Sequence, residues 1–173
     1  MASAFNVSGP TPVQVLVPGG SWTELGIATE SGRPRFRANI LRRELRADDT
    51  GDEPAEIVHL GVTGTLSFVL EKWDEAVRVS LLSNLPGGAA EGEHGTIGAL
   101  WRADSHLIGV RYLPVIAGKQ ARTYASCVPT FIEEAEFGNS AKSLACEFMV
   151  LRTQDSAGTN ASTDNLYTTT TTT

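Results

Sequence analysis

The chain has 173 residues with 41% hydrophobic and 20% charged positions and a net charge of -6 at neutral pH. That length suits one domain able to bury its own core. An excess of carboxylates disfavours a duplex-binding role built on Lys and Arg neutralising phosphates, and no apolar run approaches the roughly 18 residues that a membrane helix requires.

The first twelve residues read as an irregular arm broken by Pro10 and Pro12, with neither a basic segment nor an apolar signal core, so the expectation is a protein that stays in the cytoplasm where it is made. Val13 to Val17 reads as a first strand stopped by Pro18-Gly19-Gly20. Trp22 to Thr29 is a further candidate strand, limited by Gly26 and by Glu30-Ser31-Gly32. Phe36, Ala38 and Ile40 then alternate with Arg35, Arg37 and Asn39, while Leu41 and Leu45 fall on the opposite parity. Either a bulge near Arg42 resets the register or the far end of this strand faces a partner.

Asp48 to Pro54 is an acidic, turn-forming segment. After it Leu60, Val62, Leu66, Phe68 and Leu70 share one parity, with Gly64 in the remaining place, while Gly61, Thr63, Thr65, Ser67 and Glu71 take the other. This predicts a long half-buried strand over 56–72. From Asp74 the period changes: Val77, Leu81, Leu82 and Leu85 recur at helical intervals, Asp74 is placed as an N-cap, and Pro86-Gly87-Gly88 ends a helix predicted over 75–84.

Two strands, 96–101 and 107–113, flank a hairpin turn at Asp104-Ser105. After the Gly118-Lys119-Gln120 turn come strands at 123–128 and 130–137, a turn at Gly138-Asn139-Ser140, and a last alternating strand over 143–153. About eight strands around one helix predict a mainly β protein, an antiparallel β-sandwich or barrel with one flanking α-helix. Its domain spans 1–152. The polar remainder, 153–173, offers only Leu166 and Tyr167 as large apolar residues, which predicts disorder in an isolated monomer. Its threonines also suit an edge strand added to a neighbouring subunit.

Chemistry is sparse. His59, His94 and His106 stand in unrelated contexts, and none belongs to a zinc-type pair. Cys127 and Cys146 lie in predicted strands, not in a C-x-x-C pair, and read as reduced core residues. Glu133, Glu134 and Glu136 form the densest acidic cluster, read as a solvated strand face rather than a glycosidase pair. Asp48, Asp49, Asp52 and Glu53 lack calcium-loop spacing. The expectation is therefore no enzyme, no metal and no cofactor.

The opening Met1-Ala2-Ser3 with Phe5-Asn6, the Asp48-Asp49-Thr50-Gly51 segment, and Gly64-Thr65-Leu66-Ser67-Phe68 with Leu70 and Trp73-Asp74 resemble tail tube proteins of tailed bacteriophages. Gly95 to Leu100 and the Tyr124 to Leu151 segment with Glu136-Phe137-Gly138-Asn139 continue the likeness, which covers most of 1–152. The resemblance implies hexameric rings stacked into a hollow tail tube, assembled in the host cytoplasm and resident in the virion. It implies other phage tail proteins as partners, and DNA that passes the lumen without specific binding. It also implies that a loop between early strands, here Asp48, Asp49, Thr50, Gly51, Asp52, Glu53 and Pro54, reaches the adjacent ring, with the arm around Phe5 and Asn6 as a second contact. Glu133, Glu134 and Glu136, with Glu71 and Glu147, are candidate lumen charges. Competing readings are a tail terminator or head decoration protein, and a carbohydrate-binding module using Trp22, Trp73 or Trp101 as a platform.

Overall fold

The structure is a computed structural model and describes residues 11–28, 32–45, 56–85, 106–115, 118–134, 143–152 and 166–171, for 131, 133 and 134 the backbone alone. Its strands in chain order are β1 (Thr11–Leu16), β2 (Thr23–Ala28), β3 (Arg35–Leu45), β4 (Glu56–Trp73), β5 (Ile108–Tyr112), β6 (Gln120–Glu134), β7 (Leu144–Val150) and β8 (Thr168–Thr171), with helix α1 (Glu75–Ser83) between β4 and β5. The protein is mainly β, as its periodicity predicts.

Neighbouring strands run β2-β1-β5-β6-β7-β4, and β2 also pairs with β4, so six antiparallel strands close into a barrel. Closure takes place at Gly26, opposite Trp73. A side chain on Gly26 would run into the backbone of Lys72 and Trp73, so the tight seam requires glycine. Within the segment expected at 22–29, limited in sequence by that same glycine, Thr23–Ala28 is thus the strand that shuts the barrel.

Inside, Val13, Val15, Leu66, Leu70, Val110, Tyr124, Leu144 and Phe148 are fully buried, and Phe68 stacks on Phe148 with ring centroids 5.7 Å apart. Each large aliphatic side chain removed from water in this way stabilises the fold by about 1.5–3 kcal/mol. Cys127 and Cys146 belong to this interior, both free thiols.

Helix α1 starts as its sequence dictates. The Asp74 carboxylate accepts from the amides of Ala76 and Val77 at 2.9 and 3.3 Å, and the Asp74 amide donates to the Leu25 carbonyl, tying the helix to β2. Arg78 is buried and meets Glu75 at 2.6 Å, and Glu75 also accepts from the Trp73 indole at 3.0 Å. At the other end Asn84 donates to the His106 carbonyl and the His106 ring meets the Asn84 carbonyl, both at 2.9 Å, fixing the helix exit beside β5.

Three expectations need correction. The strands expected at 123–128 and 130–137 are one strand, β6, which carries Pro129 at a register shift against β7, where a missing N–H costs no regular ladder bond. Leu60 and Val62 do not belong to the core: burial along β4 begins at Gly64, and Leu60 is 59% exposed. The tail, expected to be disordered, is ordered over 166–171: Leu166 and Tyr167 pack on the core, and Thr168–Thr171 pairs with β6 of its own chain. The strand expected at 96–101 and the turns at 104–105 and 138–140 lie outside the described residues.

Candidate assembly surface

Strand β4 is 18 residues long, but β7 pairs with it only over Gly64–Leu70. Before Gly64 it continues, among the described residues, with β3 alone, register Ala38↔Gly64, Ile40↔Val62, Leu41↔Gly61, Arg42↔His59 and Leu45↔Glu56. The result is a two-stranded ribbon projecting from a finished barrel. The register shift falls between Leu41 and Arg42, the position at which the parity of β3 predicts a bulge. The extra residue is on the opposite strand: Leu60 has no partner in the ladder and precedes Gly61, whose φ of 141° is open to glycine and costly for other residues.

Apolar side chains appear on both faces of the ribbon, because β3 is unbroken and its neighbours Ile40 and Leu41 point to opposite sides: Ile40, Leu41, Leu45, Ile57, Val58 and Leu60 are all exposed, Ile40 to 67%. Opposed residues share a face, which sets Ile40 with Val62 and Arg43 with Val58. Scattered surface leucines are ordinary, but six exposed aliphatic residues on one ribbon, away from any core, form the kind of patch that marks an interaction surface. Along its outer edge, 56–63, β4 has no strand partner among the described residues, an arrangement that invites pairing with another chain.

Charge is segregated as well. The shaft of the ribbon holds Arg35, Arg37, Arg42 and Arg43 against Glu44 and Glu56, a balance of +2, while the connecting stretch 46–55 sets Arg46 against Asp48, Asp49, Asp52 and Glu53, a balance of -3 in a chain of -6 overall. Shaft and connection carry opposite signs.

The structure brings none of the sequence-predicted contact residues to a described position in full. Asp48, Asp49, Thr50, Gly51, Asp52, Glu53 and Pro54, the arm residues Phe5 and Asn6, and Glu136 lie outside the described residues; Glu133 and Glu134 stand opposite Ala145 and Leu144 in the β6–β7 register. Glu71 and Glu147 are exposed. Sequence motifs do not single out the apolar ribbon residues as contacts; the split parity of β3 is the signal that points to them.

Nothing in the described residues gathers catalytic groups. Among the described residues no cluster of three His, Cys, Asp or Glu side chains is placed to hold a metal. Burial pushes both thiols up to about 12, Cys127 against a hydrogen bond with Val110 and Cys146 against the positive charge of Arg78, so neither is a thiolate nucleophile at neutral pH. Trp22 is no open platform: the Arg111 guanidinium stacks over its ring at 4.4 Å, held there by a 2.7 Å bond to Gln14, and the ring lies against Gly109. Trp73 packs on the core and donates to Glu75; Trp101 lies outside the described residues. No helix among the described residues is long and apolar enough to cross a membrane.

Fold and surface together define a closed six-stranded antiparallel barrel with one helix and a projecting, unpartnered ribbon. No family model matches the chain, and no curated protein does. Among solved structures it is similar to one described as the crystal structure of Hcp protein, at a TM-score of 0.36 and 10% identity over 82% of this chain and 88% of that one.

Proposed function

We propose that this chain is a non-enzymatic structural subunit that polymerises with copies of itself, and specifically a bacteriophage tail tube protein whose hexameric rings stack into a conduit for DNA. The observation that carries the reading is the ribbon. A barrel already closed without it has no use for six exposed aliphatic side chains and an open strand edge, whereas a neighbouring copy does. Opposite charge on shaft and connecting stretch favours association of like with like in an offset, head-to-tail manner, the geometry that makes rings and stacks rather than closed pairs. The sequence resemblance supports six copies per ring and the Asp48–Pro54 stretch as the ring-to-ring contact.

An acidic subunit repeated along a channel lets DNA pass without adhering, with Glu133, Glu134 and Glu136 as candidate lumen charges. Other tail proteins would meet the two ends of the tube. Synthesis and assembly take place in the host cytoplasm, and the product resides in the virion tail.

Electron microscopy of the purified protein tests this directly. Hollow filaments of uniform width are the expected result; single rings would point to a tail terminator, and dispersed single copies at high concentration would overturn self-assembly altogether.

A further inference from the structure

Strand β7 ends at Val150, which stands opposite Gly64 on β4 and Cys127 on β6. Beyond that point the sheet forks. One prong is the β3–β4 ribbon; the other is the start of β6, which takes β8 into the place β7 has vacated, in the register Gln120↔Thr171 to Thr123↔Thr168. Between the prongs lies an open cleft of about 660 Å3 lined by Phe36, Ala38, Val62, Arg152, Leu166 and Tyr167, with the first two threonines of β8.

Tyr167 stands in the fork. Its ring meets Phe36 edge-on at 5.5 Å and Tyr124 at 5.6 Å, and the Arg122 guanidinium lies 4.9 Å over it. Phe36 is the root of the ribbon: it pairs with Leu66, covers Gly64, and touches Tyr124 at 5.2 Å. A two-stranded ribbon has little stiffness of its own, so its direction is set where it is rooted. Tyr167 supplies one wall of that root, yet it belongs to a segment held by four paired threonines, all exposed, at the end of a polar stretch of 13 residues, 153–165.

We propose that Leu166–Thr171 is a detachable brace whose Tyr167 sets the direction of the ribbon, so that unseating the last residues slackens the ribbon while the barrel stays shut. The brace itself stands on the fork geometry; its bearing on assembly rests on the tube reading above.

Hydrogen exchange on dispersed full-length protein tests it. In Tyr167→Ala the amides of 38–41 and 61–63 exchange about tenfold faster while those of β5 and β7 keep their rates, and Tyr167→Phe, which preserves the ring contacts, behaves as the parent. Thr170→Pro, which puts a residue without N–H into the β8 ladder, reproduces the Ala result by unseating the strand instead of removing the ring. Unchanged ribbon rates in both disruptive variants, or an equal acceleration throughout the barrel, would overturn the brace. Because exchange is read on single copies, that result does not depend on whether the parent forms filaments. If the parent forms them and Tyr167→Ala, with its ribbon slackened, forms them at the same rate and length, the link from brace to assembly is lost.

Discussion

The ring of Phe36 fills the space above Gly64 that a side chain would otherwise take, so the two residues meet across β3 and β4 as a large knob on a bare backbone. Gly64→Ala would drive a methyl group into the ring and force Phe36 off Tyr124. Such overpacking costs about 1–3 kcal/mol. Chemical denaturation should show that loss, and Phe36→Leu combined with Gly64→Ala should recover part of it.

Substitutions further out on the same ribbon should behave in the opposite way. Ile40→Thr and Leu60→Thr keep a strand-compatible residue and remove an exposed apolar one. Stability should stay within about 0.5 kcal/mol of the parent. Filament formation, followed by light scattering and microscopy, should be abolished in the double variant; tubes of normal length would show that these side chains are not the joint.

Replacing Asp48–Pro54 with a short Gly-Ser turn should leave a folded monomer with the parent's circular dichroism and no long tubes. Normal tubes from that chain would remove the stretch from the stacking contact.

The thiols give a pH signature. Both titrate at about 12 when folded against 9.0 for the free group, so folding disfavours the thiolate. The unfolded chain loses those protons first as pH rises. The thiols' contribution to stability is therefore constant below about pH 9 and declines between about 9 and 12, by up to about 1.4 kcal/mol per pH unit for each thiol. Burial pushes the Tyr124 phenol up too, adding to the loss in the same direction. Denaturation midpoints across that range should show the decline, and a thiol reagent at pH 8 should label neither cysteine until the protein unfolds.

At the helix, Asp74→Ala removes the acceptor for two amides and should cost about 1 kcal/mol, with Asp74→Ser recovering most of it. An unchanged midpoint for the alanine variant would mean that water replaces the cap without loss.

Local rules carry much of the fold. Alternation locates β1, β3, β4, β5 and β7, the change of period at Asp74 locates α1, and the parity break in β3 locates the bulge. What alternation does not report is where a barrel stops. A strand with one apolar face reads the same whether that face meets a core or open water, which is why Leu60 and Val62 resemble Leu66 and Phe68 in sequence. Pro129 divides β6 by its residue type because a proline forbids a regular ladder, but it does not forbid a bulge. Tyr167 is visible as an isolated aromatic residue in a polar tail, yet its partners Phe36 and Tyr124 are distant in sequence, and no local pattern connects them. The contact candidates at Asp48–Pro54 come from family likeness alone.

The seam between Gly26 and Trp73 has a final consequence. Since the ring of strands is completed there, at the far end of β4, the portion of that strand that keeps the molecule intact and the portion that reaches outward have no residue in common. The outward portion can therefore be rewritten, lengthened or given new specificity without endangering the scaffold, as a tool can be changed on an unchanged handle.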